Sequence, residues 1–309
     1  MKKQLQNKIA ESRLLLPFVA AYGFVVWLMA GIATQNWWLQ LGCFAVSSYL
    51  MVQMNNVHVL IRIYSGMVSG MFIAMSCTAC FLFGSLPVAI HQMLMTASLL
   101  LLFTTYQDRN ASGRSYYAFL AWALISMIEP QIVYFIPLLW LFMIFSLQCI
   151  SWRTWTASLL GLLTPYWMWT GWLLYQGDLS PMITHLSSLS DFNQPFDYST
   201  LTLPQVLVFI YVVALAITGI IHFLRKSYME KIRTRMLYSC LIWLDIAAIV
   251  FLILQPQHYD MLMVMMIITT APLIGHYLAL TNTKVTNISF FVLAGLTVVL
   301  TLFNILWSI

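Results

Sequence analysis

Charged residues are scarce in this sequence. Only 7% of its 309 residues are Asp, Glu, Lys or Arg, whereas 61% are hydrophobic and 15% are aromatic. A soluble domain usually carries about one quarter charged residues, so this composition excludes an ordinary soluble fold. Runs of about 20 apolar residues, the length that crosses a hydrocarbon core of roughly 30 Å as a helix, recur along the chain. The sequence therefore predicts an all-α, polytopic transmembrane bundle that forms a single integral membrane domain, 1–309.

Several chemical signatures are also missing. The sequence has no glycine-rich phosphate loop, no nucleophile elbow and no paired metal-binding motif. Cys77 and Cys80 share a helix face without further ligands nearby, which is more typical of packing than of a redox or metal site. No basic patch with interleaved aromatic residues suggests nucleic-acid binding. We therefore predict no metal, no cofactor and no nucleic-acid partner, and whether the protein is an enzyme stays open.

The apolar runs predict eleven membrane spans, with the N-terminus inside and the C-terminus outside. Their approximate bounds are 14–34, 37–54, 63–83, 88–106, 116–129, 130–151, 156–175, 205–224, 236–254, 261–280 and 288–307. Residues 116–151 are the difficult stretch, because as one helix they would extend roughly 54 Å, too long for one ordinary span and short for two. We interpret them as a hairpin that turns near Glu129 and Pro130, either as two full spans or as a re-entrant segment.

Charge favours the hairpin. With it, all 14 Lys and Arg residues fall on the cytoplasmic side or its interface, as the positive-inside rule requires. Without it, Arg153 and the basic loop 225–235 would lie outside. The first apolar run has no small-residue cleavage site, so we expect a retained span and not a cleaved signal peptide. The expected location is the bacterial inner membrane, with membrane lipids as partners.

The stretch 140–175 carries a resemblance to a known family. It contains an apolar segment, then SWRTW at 151–155 and LLGLLTPY at 159–166. This pattern, with the basic loop before the ninth span and the turn at Lys284, resembles an uncharacterised family of multi-pass bacterial inner-membrane proteins. The resemblance implies the fold and the location but no established activity.

The layout of the spans is more distantly similar to membrane glycosyltransferases that use polyprenyl-phosphate-linked sugars. That similarity rests on eleven spans with the longest outer loop between the seventh and eighth. It implies a catalytic carboxylate in the first outer loop. Here that loop is QNWW at 35–38 and contains no acid.

Two acids are candidate catalytic residues. Asp245 lies near the middle of the ninth span, where an ionisable group costs at least about 2.5 kcal/mol unless it faces a partner or water. It is either a proton-relay or ligand-binding carboxylate, or a hydrogen-bonded packing residue. Glu129 is either an acid/base group or an interfacial residue at a helix break beside Pro130.

Four further residues are candidate ligand-binding groups. Arg153, together with the basic loop, can anchor the protein at the interface or hold a lipid head group or pyrophosphate. His276 lies in the tenth span, at least about one turn nearer the cytoplasm than Asp245, so direct pairing of the two is not expected. Asp178 and Asp191 lie in the long outer loop, where no basic residue accompanies them.

Three functions follow from these observations. The scarcity of catalytic polar groups favours a cell-envelope assembly factor or a subunit of a membrane complex. The alternatives are a glycosyltransferase-like enzyme acting on polyprenyl-phosphate-linked sugars and a proton-coupled carrier that uses Asp245. The expected partners are a polyprenyl lipid or another membrane protein.

Overall fold

The computed structural model describes residues 4–192 and 195–308, and these are helical with no strand, which confirms the all-α class. In the first half of the chain the α-helices are α1 (Leu5–Ala10), α2 (Leu15–Met29), α3 (Ile32–Gln35), α4 (Trp38–His58), α5 (Met67–Thr78), α6 (Leu86–Thr104) and α7 (Ser112–Ile128). In the second half they are α8 (Ile136–Leu141), α9 (Trp152–Gln176), α10 (Ser180–Ser187), α11 (Leu203–Lys226), α12 (Ile232–Leu254), α13 (Tyr259–Leu280) and α14 (Lys284–Ser308). Single turns of 3-10 or π-helix join several of them.

Five helices in the described part of the chain are long and apolar enough to cross a membrane, namely α6, α11, α12, α13 and α14. A helix of this length can cross the hydrocarbon layer with its backbone hydrogen bonds made internally, so these helices indicate a membrane protein. Helices α4 and α9 are long enough, with 21 and 25 residues, but they are less apolar. Helices α2 and α5 are shorter, with 15 and 12 residues. The count of eleven spans and the orientation of the termini stay predictions.

Backbone breaks shorten some of the predicted segments. In 14–34, α2 ends at Met29, and Gly31 takes a left-handed φ of +98° before α3 begins. In 63–83, the helix begins only at Met67, after a non-helical stretch in which Val59 has a φ of +50°. A left-handed residue cannot continue a right-handed helix, so each of these positions ends one.

The stretch 116–151 folds back on itself. The N–H of Gln107 donates to the carbonyl of Leu147 at 2.8 Å, so the chain leaves and returns at the same end of the molecule. Between them α7 ends at Ile128, and the return limb consists of a 3-10 helix (Pro130–Phe135), α8 and a π-helical turn (Phe142–Ser146). Pro130 and Pro137, which lack an N–H group, interrupt the return limb.

The helix bundle has two chemically different ends. At the basic end lie α1, the segment 59–66, the turns before α7 and α9, and the connections α11–α12 and α13–α14; it carries the described Lys and Arg residues. The acidic end consists of the turn after α7, residues 177–192 and 195–202, and the α12–α13 connection. Its acids are Glu129, Asp178, Asp191, Asp197 and Asp260. Hydrogen bonds hold this end together, for example from the Tyr198 hydroxyl to the carbonyl of Ile253 at 2.9 Å.

Helix α13 is the centre of the bundle. It is buried over nearly its whole length and packs against α5, α6, α11 and α12. A helix that is apolar all round belongs in such a position. Its contact with α11 is close, since a Cβ at Gly219 would lie only 2.9 Å from the backbone carbon of Leu273.

A second close contact joins α7 to α9. A Cβ at Gly161 would overlap the carbonyl oxygen of Tyr116 and lie 3.1 Å from the backbone nitrogen of Leu120. Small residues at such positions let two helix backbones approach, which is a main source of packing energy between helices in membranes. Position 161 therefore has no room for a side chain.

We predict that Gly161→Ala lowers the free energy of unfolding by about 1–3 kcal/mol, because the added methyl group meets backbone atoms that cannot rotate away. Gly171→Ala is the matched control on the same helix, since a Cβ there meets nothing within 4 Å. Thermal unfolding in mild detergent measures both. Equal effects of the two substitutions would show that the α7–α9 contact is not tight.

Candidate functional site

A polar cavity of about 200 Å³ lies at the basic end of the bundle. Its polar lining residues are Arg62, His222, Lys226, Glu230, His276, Thr281, Asn282 and Thr283. We call it the basic-end cavity. Its wall is distinctive because a chain with only 7% charged residues brings three of them together there.

Five parts of the fold converge to build the cavity. His222 and Lys226 are one turn apart in the last turns of α11, so they face the same side. Glu230 follows the 3-10 turn Ser227–Met229, and His276 lies near the end of α13. Arg62 comes from the segment after α4, and Asn282 from the α13–α14 connection. The site therefore exists only when the bundle is assembled.

The Glu230 carboxylate organises the wall. Its Oε1 atom lies 3.5 Å from Nε2 of His276 and 3.8 Å from a guanidinium nitrogen of Arg62, which are ion-pair distances and longer than a hydrogen bond. The Glu230 side chain is only 6% exposed. The adjacent His276 imidazole lowers the pKa of Glu230 below its ordinary value, burial opposes this, and the charge of Arg62 adds to the lowering. Glu230 is thus a carboxylate near neutral pH.

His276 is held in an aromatic environment, and both of its ring nitrogens lack a hydrogen-bond partner among the described residues. Its ring lies edge-on to Phe223 and Tyr238, with centroid distances of 5.1 and 5.2 Å, and 5.7 Å from the ring of His222. The residue is 1% exposed, and its Nδ1 atom has no hydrogen-bond partner in the described part of the chain. A buried polar atom without a partner costs about 1–3 kcal/mol, so a ligand that satisfies it would bind favourably.

The balance of charges suits an anion. Arg62 and Lys226 contribute two positive charges against the single negative charge of Glu230, and the two imidazoles can donate N–H groups. Guanidinium and ammonium groups form strong, charge-assisted hydrogen bonds with phosphate and carboxylate oxygens. Among the described residues, no group of three or more His, Cys, Asp or Glu side chains could hold a metal ion.

Asp245 lies in a sealed position between α12 and α13. It is 0% exposed, and its carboxyl group accepts hydrogen bonds from the hydroxyl groups of Thr269 at 2.8 Å and Thr270 at 3.0 Å. Both carboxyl oxygens are therefore satisfied inside the protein. His276 is not its partner, because it contacts Glu230. The arrangement favours the hypothesis of a hydrogen-bonded packing residue.

The other candidate residues lie apart from one another. Glu129 is half-buried at the acidic end, between α7 and the return limb of the hairpin. Asp178 and Asp191 are exposed within residues 177–192, where Asp178 accepts the N–H of Ser180 at 2.8 Å. Arg153 is exposed in the first turn of α9, at the basic end. Of the six candidates, His276 alone lines the basic-end cavity.

Of the remaining cavity residues, only Lys226 was suggested by the sequence, as part of the basic loop that can hold a lipid head group. Arg62 and His222 were not among the candidates. One signal was present, since Glu230 is the single acid within the basic loop 225–235. A single acid within a basic loop indicates that its carboxylate pairs with basic side chains from elsewhere in the chain.

No protein-family model matches the chain, and neither a curated protein nor a solved structure matches it. The resemblance to a family of bacterial inner-membrane proteins therefore stays a prediction. The chemistry of the basic-end cavity is the remaining basis for a function.

We predict that Glu230→Gln lowers the free energy of unfolding by about 1–3 kcal/mol near pH 7, because His276 and Arg62 lose their charged acceptor. The native pKa of Glu230 is lowered, so its stabilising contribution is complete above its ordinary value of 4.5 and is lost as the pH falls through the native value. The wild type and the variant should therefore converge in acid.

Thermal unfolding in detergent at about pH 7 and about pH 4 measures this difference. Asp191→Asn, at an exposed acid of the opposite end, serves as the control. A difference between the wild type and Glu230→Gln that is the same at both pH values would contradict the assigned contacts.

Proposed function

We propose that this protein is a multi-pass protein of the bacterial inner membrane that binds a phosphate-bearing lipid at its cytoplasmic end and serves in cell-envelope assembly as a subunit of a membrane complex. The observation that carries the proposal is the basic-end cavity, whose wall combines two cations and two imidazoles with one carboxylate. Eleven spans, with the N-terminus inside and the C-terminus outside, are part of the proposal.

Charge supports this orientation. Cytoplasmic loops of membrane proteins carry an excess of Lys and Arg, and the described Lys and Arg residues lie at the basic end. We therefore assign the basic end to the cytoplasm and the acidic end to the outer side. The basic-end cavity then opens where anionic head groups are located.

A phosphate group matches the donors of the cavity. Lys226 supplies a compact positive charge, and Arg62 supplies a planar array of N–H groups that fits two phosphate oxygens. A terminal phosphate monoester carries about −1.5 to −2 charges near neutral pH, more than a diester. It therefore matches the excess of cations better than an ordinary phospholipid does.

A lipid is favoured over a free phosphate by the surroundings of the cavity. Leu224, Tyr228 and Ile232, which flank the lining residues in sequence, are 61%, 71% and 60% exposed. Exposed apolar side chains beside cationic groups are typical of a membrane interface. A lipid can place its phosphate in the cavity while its chain lies along these side chains, and a polyprenyl phosphate has this form.

The two alternative functions have less support. A proton-coupled carrier would need Asp245 to exchange protons, whereas its carboxyl group is buried and accepts bonds from two threonine hydroxyls. A glycosyltransferase of the kind considered would need a carboxylate in the first outer loop, and residues 35–38 contain none. Its lipid phosphate would also be required at the outer side, opposite the basic-end cavity.

The proposal predicts that the full chain, purified in mild detergent, binds a polyprenyl monophosphate, and that Lys226→Gln and Arg62→Gln each weaken binding at least about tenfold. Each loses one charge-assisted hydrogen bond, worth about 1.5–3 kcal/mol. Native mass spectrometry with added lipid measures the bound fraction. Inorganic phosphate in a parallel titration separates a lipid site from a site for the free ion.

Lys231→Gln is the matched control, because it removes the same charge from the same loop at a residue that does not line the cavity. If Lys231→Gln and Lys226→Gln weaken binding equally, general attraction to the basic end explains the result and the proposed site is wrong. Binding of inorganic phosphate without binding of the lipid would overturn the lipid assignment.

The orientation gives a separate prediction. In a variant with Ser190→Cys, a membrane-impermeant thiol reagent should label intact cells from the outer side, because residue 190 lies at the acidic end. Asn110→Cys, at the exposed turn before α7, should be labelled only after the cytoplasmic side is opened. The five native cysteines are buried and should give little background. The reverse labelling pattern would invert the proposed topology.

A further inference from the structure

A second cavity, of about 310 Å³, lies at the acidic end. We call it the acidic-end cavity. Its polar lining residues are Thr202, Gln205, Asp260 and Asn304, and its aromatic ones are Phe81 and Trp307. The proposed function does not use any of these residues. They come from four parts of the chain, so a ligand there contacts the ends of α11, α13 and α14 and the turn after α5.

Hydrogen bonds and ring contacts hold the walls in place. The Tyr259 hydroxyl donates to the carbonyl of Gln205 at 2.7 Å and joins the first turns of α11 and α13. The Asn304 amide donates to the carbonyl of Thr78 at 2.6 Å and joins α14 to α5. The rings of Phe81 and Tyr259 are 6.1 Å apart. The cavity is therefore part of the folded bundle and not a gap between loose loops.

One buried atom in the wall lacks a partner. Asn304 is 2% exposed, and its Oδ1 atom accepts no hydrogen bond from the described residues, although its amide nitrogen is bonded. Leaving such an acceptor unsatisfied costs about 1–3 kcal/mol. A ligand with an N–H or O–H donor in the cavity would remove that cost.

The wall offers acceptors and aromatic rings. Asp260 provides a carboxylate, and Asn304 provides the free amide oxygen. Gln205 already uses its side-chain oxygen to accept from the N–H and hydroxyl of Thr202, at 2.9 and 3.0 Å. Trp307 is 58% exposed and borders the cavity with a large indole surface. Acceptors, a negative charge and aromatic rings together are the groups that recognise an ammonium ion.

We propose that the acidic-end cavity binds a primary ammonium group, with Asp260 as its counter-ion, the Asn304 amide oxygen as a hydrogen-bond acceptor, and Trp307 as a cation–π partner. An anion is disfavoured because no described Lys or Arg lines the cavity. A bare metal ion is disfavoured because only one carboxylate lines it. The cavity volume is also about ten times the roughly 30 Å³ that one water molecule occupies, so an organic group can fit.

The ammonium group can come from two sources. One is the head group of an ethanolamine phospholipid, since Trp307 and Leu306, which is 74% exposed, lie beside the cavity where a membrane interface would be. The other is a free organic amine in solution. A primary amine offers three N–H donors, whereas a quaternary amine offers none, so both sources are distinguished from choline compounds.

The test uses the full chain in nanodiscs or mild detergent. Ethanolamine and, separately, phosphatidylethanolamine are titrated and followed by native mass spectrometry. The expected result is binding of one of the two, which Asp260→Asn weakens at least about tenfold and Trp307→Leu weakens about two- to fivefold. Binding of phosphatidylethanolamine alone identifies a lipid site, and binding of ethanolamine identifies a site for free amines. Choline should bind more weakly than ethanolamine.

Asp197→Asn is the matched control, because it removes the same charge from the acidic end outside the cavity. The proposal is overturned if Asp197→Asn and Asp260→Asn have equal effects, if choline binds as well as ethanolamine, or if a neutral sugar binds and the amines do not. Thermal unfolding of each variant separates misfolding from loss of binding. Lys226 and Arg62 are not involved, so failure of the phosphate proposal leaves this result unaffected.

Discussion

The bundle depends on one buried helix. Helix α13 is surrounded by α5, α6, α11 and α12, so each of these must present an apolar face to it and each must satisfy its own backbone hydrogen bonds. The polar groups at this centre are paired internally, as where Thr269 and Thr270 donate to Asp245. Two residues with unpartnered buried polar atoms, His276 and Asn304, lie near opposite ends of the bundle, and each lines a cavity.

The two ends of the bundle differ in chemistry. At the basic end, cations gather around a single carboxylate, and the excess charge is positive. At the acidic end, carboxylates accompany aromatic rings, and the described cations are absent from the wall. A protein with so few charges gains little stability from exposed ion pairs. The four charged side chains that line the two cavities are therefore better explained by ligands than by folding.

The helical fold was predictable because its cause is local. An apolar run of about 20 residues forms a helix in a membrane, because only a helix satisfies its backbone hydrogen bonds internally. Pro130 indicated the turn that follows α7. The break at Gly31 was not evident, since glycine also occurs within helices. The basic-end cavity could not be predicted, because the contact between Glu230 and His276 depends on how α11 and α13 pack. Asp245 was identified from its position alone, but its threonine partners lie on another helix and depend on the same packing.

The contact at Gly219 has a consequence for how the molecule can move. Both cavities are lined by the two ends of α11 and α13, and at Gly219 these helices approach so closely that no side chain separates their backbones. Sliding one helix past the other would have to break this contact, so the pair behaves as one rigid rod. A rod can tilt but not shorten. If a ligand displaces one end of the helix pair, the other end should therefore change its angle within the bundle, while the distance between the two cavities stays constant.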